Sequence, residues 1–567
     1  MSTSIRFILA LALAGLIAWI LPAMDETDGW SLFPPLAAIG VAVSTGRLIL
    51  GLSTAVLSGA FLTLPSSTSW YLVPWETLER ALVNFVWGSL RQSFQLYILG
   101  FTVSLIGMVR VIALAGGTQG IAQLLAARAE SARAARIATF LMGLAIFFDD
   151  YSNTLVVGTT MRPIADRFKV SREKLAYLVD STAAPIAGIA VISTWIGYEV
   201  GLFEKVMRSL GTGISGYELF FRALPTRFYC IFTLCFVALS TFLRRDFGPM
   251  LKAERRAQQR DQVLAPEATP MTDELGNEIQ SPSGIDPHWG TAAAPVVLVI
   301  GGVLLGIYLV RADIPDVVSA RQHHGFLSQT HWVAILSGDE DSGGENSKVM
   351  FIASLAGSLL AFLIALTRRD QTSGKRPLQL GRVLKTWVRG ITGFYYALAI
   401  LILAWAIQRT CEILGTDSYL KEALTGQLEP TLLPLLVFLF SALIAFAIGT
   451  SWGTMSILLP TTLPLAFELG GAPLVVLVAS AVLDGAIFGD HCSPISDTTV
   501  LSSVAAAADH MDHVKTQLPY ALVTMVTAAI FGYLGGTLLY SPGLGLLLGL
   551  AFLTALLFFF GSNPDAT

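Results

Sequence analysis

Charged residues are scarce in this chain of 567 residues: aspartate, glutamate, lysine and arginine together make up 13% of it, whereas hydrophobic residues make up 54%. So little charge excludes a soluble globular protein of this size. The apolar runs also lack the polar alternation of a transmembrane barrel strand, and many approach the roughly 20 residues that a membrane-spanning helix needs. The composition therefore predicts an all-α polytopic membrane protein.

Cysteine is rare as well. The four cysteines, Cys230, Cys235, Cys411 and Cys492, show neither the spacing of a metal site nor that of a disulfide framework. We therefore expect no bound cofactor. The formal net charge of −4 is divided among loops of opposite sign, and we expect no nucleic-acid partner.

The most polar stretch of the apolar region is GDHCSPISDTTVLSS, residues 489–503. A centrally placed aspartate costs about 2.5–3.5 kcal/mol to insert into a bilayer, so such groups survive where they face a cavity inside the protein. Pro494 donates no backbone hydrogen bond and disfavours helix at Ser493. The stretch therefore predicts a broken helix with free backbone groups around an ion site.

Basic residues on both sides of one apolar segment predict a re-entrant hairpin. Arg136 ends one basic cluster and Arg162 begins the next, and basic loops favour the cytoplasmic side. A single span cannot begin and end on the same side, so we place a hairpin at about 137–161, with Asp149 to Thr154 as its tip. A second hairpin, entering from outside, is predicted at about 432–468 with Gly449 to Thr454 as its tip.

The two halves of the chain follow the same order in opposite orientation. After each hairpin comes a span with an aspartate shortly before a proline, Asp180 before Pro185 and Asp490 before Pro494. We therefore expect about 12 transmembrane helices in two inverted repeats, each with a re-entrant hairpin and a discontinuous helix, an arrangement typical of alternating-access transporters. The predicted units are a first membrane half at 1–243, a mobile cytoplasmic linker at 244–290, and a second half at 291–567 with its broken helix at about 473–505. Both termini are expected in the cytoplasm.

Sodium is a hard cation that prefers oxygen ligands, and the predicted breaks are rich in them. A buried carboxylate needs a cation or a proton to offset its charge, so sodium and protons would compete for it. We rank Asp150 and Asp490 first as these competing groups and as sodium ligands. His491 is interpreted as a proton shuttle or as an anchor of its loop. The candidate cation-binding and proton-binding residues are Asp149, Asp150, Ser152, Asn153, Thr154, Asp180, Thr450, Ser451, Thr454, Asp490, His491, Ser493, Ser496, Asp497 and Thr498.

Two long motifs resemble the NhaC family of sodium/proton antiporters, within the ion transporter superfamily. They are GDHCSPISDTTVLSS at 489–503 and FFDDYSNTLVVGTTMRPIADRFKVSREKLAYLVDSTAAPI at 147–186. The resemblance covers most of the membrane-embedded chain and omits the 244–290 linker and the 311–348 loop. It implies a sodium/proton exchanger of the bacterial inner membrane. The expected partners are the lipid bilayer, sodium ions and protons, and a homodimer is left open.

Two other functions are weighed against sodium/proton exchange. Close relatives in the superfamily move organic acids or amino acids, and Ser152-Asn153-Thr154 resembles a motif that helps hold sodium and substrate in its carboxylate transporters. The second-half counterpart, Ser451-Trp-Gly-Thr454, departs from that motif, and neither motif contains the Arg or Lys that a carboxylate substrate favours. An intramembrane aspartyl protease is the distant alternative, and the chain lacks a Gly-x-Gly-Asp run at Asp490.

Overall fold

The computed structural model describes most of the chain. The described residues are 27–45, 47–127, 129–191, 193–270, 285–312, 315–324, 342–369, 377–393, 395–416, 419, 429–494, 496–538 and 541–565. The predicted first span at about 5–22 lies outside them, as do residues 271–284 of the predicted linker and much of the 311–348 loop.

Helices make up the ordered structure of the described residues, where the one β-bridge joins Asp246 to Ser562. The first part contains α1 (Phe33–Thr45), α2 (Leu48–Leu62), α3 (Val73–Glu79), α4 (Gly88–Leu90), α5 (Ser93–Leu114), α6 (Gly117–Ala126), α7 (Ala132–Ala145), α8 (Asp150–Arg167), α9 (Arg172–Ala187), α10 (Thr194–Ser209), α11 (Gly216–Ala223), α12 (Phe228–Leu243) and α13 (Gly248–Arg260). The second part contains α14 (Gly290–Arg311), α15 (Pro315–His324), α16 (Ser342–Thr367), α17 (Leu380–Gly393), α18 (Tyr395–Leu414), α19 (Leu433–Ile448), α20 (Ser451–Cys492), α21 (Asp497–Ala506), α22 (His510–Thr527), α23 (Gly535–Leu538) and α24 (Pro542–Phe560). Short 3₁₀ turns lie at Thr27–Leu32, Leu224–Thr226 and Pro430–Leu432, and π-helical segments at Arg80–Trp87 and Ala528–Leu534.

The predicted all-α membrane fold is confirmed. Within the described residues, seven helices are long and apolar enough to cross a bilayer, or eight if α11 and α12, which meet at a bend of 47°, form one span. The helices around the second predicted tip, α19 and α20, are among these seven, whereas α7 and α8 around the first predicted tip are not. The total of about 12 helices and the inverted repeat stay predictions.

The segment of the first predicted hairpin is two helices separated by a short break. Ser131 caps α7, since its hydroxyl oxygen accepts a hydrogen bond from the backbone N–H of Ala134 at 3.1 Å. The helix ends at Ala145, and α8 begins at Asp150. The backbone N–H of Asn153 donates to the carbonyl of Asp149 at 2.9 Å, which closes the first turn of α8. The candidate tip residues therefore lie at the break and in the first turn after it.

The segment of the second predicted hairpin turns at Gly449. This residue has a φ of +77°, a left-handed conformation that glycine adopts without a steric penalty. It ends α19, and α20 starts two residues later at Ser451. A second non-helical position, Gly471 with φ 65° and ψ −163°, divides α20 into the returning arm of the hairpin and the following span.

The broken helix of the first half lies further along the chain than we expected. We placed its break between Asp180 and Pro185, but α9 continues through Pro185 to Ala187, and the non-helical backbone lies at 188–191 and at Ser193. Pro185 lies in the last turn of α9, where it donates no hydrogen bond to the carbonyl of Ser181 and its ring crowds that carbonyl, so the helix ends just after it. In the second half, Pro494 does lie inside the break, between α20 and α21.

The first part of the predicted linker at 244–290 contains a helix that packs against the bundle. Residues 248–260 form α13, whose Met250, Ala253 and Ala257 are buried. Glu254 on the same face is fully buried, 2.6 Å from Arg136 of α7, and accepts a hydrogen bond from the backbone N–H of Ser171 at 2.8 Å. The sequence pattern did not predict this contact, because the partner of Glu254 on the buried face of α13 is Arg136, which is distant in the chain.

Three acidic residues of α10 and α11 are inside the protein. Glu199, Glu204 and Glu218 are all buried. Glu204 pairs with Arg208 and Glu218 with Arg222, each four residues further along the helix. These two carboxylates are therefore compensated within their own helices.

The buried ion pair of Glu254 leads to a stability prediction. Replacing Glu254 with Gln keeps its size but removes the charge that lies 2.6 Å from the Arg136 guanidinium, while Asp565 still pairs with Arg136 at 2.7 Å. We therefore expect the free energy of unfolding to fall by about 1.5–3 kcal/mol, the range for a hydrogen bond to a charged group. The melting temperature of the detergent-purified protein measures this. Glu267→Gln, at an exposed position, is the matched control and should melt like the parent. Equal melting of all three proteins would show that α13 is not needed to hold the bundle together.

Labelling tests whether the first hairpin is re-entrant. Glu130 and Arg167 are exposed and flank α7 and α8, and we expect a cysteine at either position to be modified from the cytoplasmic side. A membrane-impermeant maleimide, applied to intact cells and to everted vesicles, gives the side. Modification of the two positions from opposite sides would show that 137–161 crosses the membrane once.

Candidate functional site

Asp490 lies where the end of α20 meets the tip of the second hairpin. Its side chain is 2% exposed, and the hydroxyl of Ser451 donates to Oδ2 at 2.6 Å. Its carbonyl accepts hydrogen bonds from the backbone N–H of Ser493 at 3.1 Å and from the hydroxyl of Thr499 at 3.4 Å. The tip and the broken helix, which we predicted separately, therefore form one site in the second half.

Asp180 is held by residues of the second half. Its carboxylate is 1% exposed. Ser502 of α21 donates to Oδ1 at 3.1 Å, and Gln517 of α22 donates to Oδ2 at 2.6 Å. Nε2 of His513, also in α22, lies 3.4 Å from Oδ2. None of these partners is a lysine or an arginine, so this buried carboxylate is held by neutral groups and one histidine.

His491 joins the sites around Asp180 and Asp490. Its Nε2 lies 3.0 Å from the hydroxyl of Ser181, and its Nδ1 lies 2.7 Å from that of Tyr229. Both partners are hydroxyls that can donate or accept, so either tautomer fits. Gln517 donates from the same Nε2 to the His491 carbonyl, at 2.5 Å, and to Asp180. These contacts anchor the loop, which is one of the two roles that we considered for His491.

The tip of the first hairpin approaches this network through Asn153. The amide nitrogen of Asn153 donates to the carbonyls of Gly143 at 2.7 Å, Ile146 at 3.2 Å and Thr182 at 3.2 Å. Asn153 therefore locks the break between α7 and α8 against α9. Its amide oxygen is buried and accepts no hydrogen bond from any described residue, and the same holds for the Thr154 hydroxyl.

The two aspartates of the same tip are both buried, at 4% exposure for Asp149 and 1% for Asp150. Asp149 accepts a hydrogen bond from the Thr194 hydroxyl at 3.2 Å, which connects the tip to the start of α10. Both carboxylates therefore lie in the interior of the protein.

Most of the other candidate hydroxyls hold the breaks together. Ser493 donates to the carbonyl of Phe446 in α19 at 2.9 Å, and Thr454 donates to the carbonyl of Thr450 at 3.0 Å. Ser496 caps α21 and lies 2.9 Å from the hydroxyl of Thr498. The side chains of Ser152 and Asp497 lie outside what the structure describes.

Seven partners in this network were not among the predicted site residues: Ser181, Thr194, Tyr229, Thr499, Ser502, His513 and Gln517. One signal was available. His513 and Gln517 are four residues apart in an apolar helix, and Tyr520 and Thr524 continue the same face. A polar stripe of this kind on a membrane helix indicates contact with a polar interior.

A buried arginine also contacts the break after α9, although the predicted site residues include no arginine or lysine. Arg227 donates from Nη1 to the carbonyl of Gly188 at 2.8 Å and from Nε to Asp484 at 2.9 Å. Glu199 lies 3.7 Å from Nη1. Two carboxylates thus oppose one guanidinium, and Arg227 offers no surplus positive charge to an anionic substrate.

Comparison with known proteins places the chain among transporters. A sequence profile of the Na+/H+ antiporter family matches residues 186–536. An uncharacterised protein of Haemophilus influenzae is 30% identical over 511 residues, which cover 89% of this chain and 90% of that protein. A malate-2H(+)/Na(+)-lactate antiporter of Bacillus subtilis is 32% identical over 153 residues, which cover 26% of this chain and 32% of that protein. The crystal structure of the Alcanivorax borkumensis YdaH transporter has the same fold, with a TM-score of 0.52 at 14% identity, over 90% of this chain and 99% of that one.

The double role of Gln517 is open to test. Replacing Gln517 with Leu removes the donor shared by Asp180 and the His491 carbonyl, and we expect a loss of about 1–3 kcal/mol in the free energy of unfolding. Thr527→Val in the same helix is the control, because the Thr527 hydroxyl bonds to the carbonyl of Val523 in its own helix. Thermal unfolding in detergent measures both variants. If Gln517→Leu melts no earlier than the control, Gln517 does not hold the two halves together.

Proposed function

The chain belongs to the Na+/H+ antiporter family, and we propose that it exchanges sodium ions for protons across the cytoplasmic membrane of a bacterium. Family membership makes it a multi-pass secondary transporter rather than an enzyme. The proposal extends this to the transported ions, to alternating access, and to cytoplasmic positions for both termini.

The observation that carries the proposal is a single buried network containing a carboxylate from each half. Asp180 and Asp490 are almost fully buried, and Gln517 and His491 link their surroundings. An ionised carboxylate away from water is costly unless a cation or a proton compensates it. Sodium and a proton each supply one positive charge, so occupation by one excludes the other. Exchange follows when the site opens to one side at a time.

Oxygen atoms near the carboxylates supply the neutral ligands that a sodium ion needs. The buried amide oxygen of Asn153 and the Thr154 hydroxyl lack hydrogen-bond donors or acceptors among the described residues, and both follow the break at 146–149. The Ser451 hydroxyl, at the tip of the second hairpin, donates a hydrogen bond to Asp490. Because sodium prefers hard oxygen ligands, these groups and the aspartates form a suitable set. In the proposed mechanism Asp490 is the group for which sodium and the proton compete, and Asp150 is the next candidate.

Alternating access is proposed to use the breaks as hinges. Non-helical backbone lies at 146–149, 188–191 and 493–494, and at Gly471. Helix interruptions of this kind absorb changes of φ and ψ while the helices on either side move as rigid bodies. The two hairpins would then expose the shared network first to one side of the membrane and then to the other.

Coupled transport of a small organic acid is the second candidate function. One relative over a quarter of the chain is named as a malate-2H(+)/Na(+)-lactate antiporter. A carboxylate substrate needs a cationic partner or free helix N-termini. The pairing of Arg227 with Asp484 and Glu199 argues against a fixed cation for this purpose, so sodium/proton exchange is the better-supported function.

Substitution of Asp490 tests the proposed exchange. Asp490→Asn keeps the shape but removes the charge and the titrating group, and we expect sodium-driven proton movement to vanish while the protein still folds. Asp490→Glu moves the carboxylate by about 1.5 Å, one methylene, and should retain partial exchange with a shifted pH optimum. In the parent, sodium affinity should fall as the pH drops, because protons and sodium compete. Everted vesicles with a pH-sensitive dye measure all three effects.

The control for this test is Asp261→Asn, whose side chain is 71% exposed and far along the chain from the broken helices. It should exchange like the parent. Normal exchange by Asp490→Asn, or a sodium affinity that does not change between mildly acidic and alkaline pH, would contradict the role of Asp490. Adding malate, lactate or amino acids to the same vesicles distinguishes the alternative, which requires proton movement that depends on the organic solute.

A further inference from the structure

A cavity of about 520 Å³ lies between α13 and α22, next to the start of α9. Five basic side chains line it: Lys252, Arg255, Arg256, Arg260 and Lys515. Two acidic side chains, Glu173 and Asp512, also line it. None of these residues belongs to the network of Asp180 and Asp490, so the cavity is distinct from the proposed transport site.

The positive charge of the cavity is in surplus. Arg256 is already used, since its Nη2 lies 2.9 Å from each oxygen of the Glu173 carboxylate and its Nε donates to the carbonyl of Gln262. Lys252, Arg255, Arg260 and Lys515 form no ion pair with any described residue. Four cations against the one remaining carboxylate, Asp512, leave a surplus of three positive charges.

The walls of the cavity are fixed by contacts on both sides. On one side, Glu254 of α13 is buried against Arg136. On the other, Thr269 donates from its backbone N–H and from its hydroxyl to Oδ2 of Asp509, at 3.0 and 2.9 Å, and Asp509 caps α22. The segment that follows α13 is thus attached to the first turn of α22. A cavity that is already formed costs a ligand less on binding, because few groups must be ordered.

We propose that this cavity binds a phosphate-bearing anion. Guanidinium groups bind phosphate oxygens through paired hydrogen bonds, and lysines add charge. The volume lies within the range of about 300–1,000 Å³ that is common for small-ligand sites. The cavity is at the first turns of α22, where the candidate span His510–Leu534 begins, which is the depth of lipid headgroups. The phosphate therefore comes from an acidic phospholipid or from a soluble phosphate compound.

Binding here would act on the transport site through α22. Asp512, Lys515 and Thr516 line the cavity, and His513 and Gln517 on the same two turns contact Asp180. An anion held by Lys515 and by the basic residues of α13 would fix the position of α22 against the first half. The network around Asp180 would then be held in the arrangement that the structure shows.

Ligand binding to the full chain in an uncharged detergent tests the proposal. The probes are a short-chain phosphatidylglycerol and inorganic phosphate, with binding followed by native mass spectrometry and by the shift in melting temperature. The triple variant Lys252→Gln, Arg255→Gln, Lys515→Gln removes three exposed cations of the cavity. Because each basic residue near an anionic headgroup adds to its binding, we expect the affinity to fall by at least about tenfold.

The matched control removes the same number of charges from another exposed surface. It is the triple variant Arg382→Gln, Lys385→Gln, Arg389→Gln in α17, and it should bind both probes like the parent. Saturable lipid binding that phosphate displaces supports a lipid headgroup as the source of the anion. Saturable phosphate binding without lipid binding supports a soluble source. Equal losses in the two variants, or no saturable binding of either probe to the parent, would overturn the proposal.

Discussion

The interior of this protein depends on the compensation of carboxylates that have no access to water. Asp180, Asp484, Glu254 and Asp490 are each at most 2% exposed, and each is held by a partner from a distant part of the chain. A buried carboxylate without such a partner would cost more than the helices gain by packing around it. The arrangement of hairpins and breaks follows from the need to bring these partners together.

The compensation differs among the buried carboxylates. Some have a cationic partner, as in the pair of Lys174 and Asp246 at 2.7 Å and the pair of Arg227 and Asp484 at 2.9 Å. Asp180 has hydroxyl, amide and imidazole partners instead. Fixed cations would compete with a transported ion, whereas neutral donors leave the charge of the carboxylate available to it. This contrast supports placing the proposed cation site in the network of Asp180 and Asp490 and giving structural roles to the carboxylates that are paired with lysine or arginine.

The helix α22 contacts both the network around Asp180 and the basic cavity. Its polar face carries His513 and Gln517 towards Asp180, and Tyr520 towards Asp246. Its first turns form a wall of the basic cavity. If the cavity binds an anion as proposed, α22 is the element that would connect it to the network of Asp180.

Local sequence signals determined the membrane fold, the tips of both hairpins, and the break around Pro494. Apolar length, glycine at a left-handed turn and proline in a helix act within a few residues, so they can be predicted from the chain alone. The same signals misplaced the break after Asp180, because Pro185 falls within the last turn of α9 and the helix ends beyond it. They also predicted a mobile linker where α13 packs against the bundle.

Only the tertiary structure decided which polar groups meet. Gln517 contacts Asp180, which lies 337 positions earlier in the sequence. Arg227 donates to the carbonyl of Gly188 in the break after α9, and its positive charge is opposed by Asp484 and Glu199. Sequence periodicity shows which face of a helix is polar, but it does not show the partner of that face. The pairing depends on how the helices pack, because a side chain several hundred residues away leaves no local trace in the pattern.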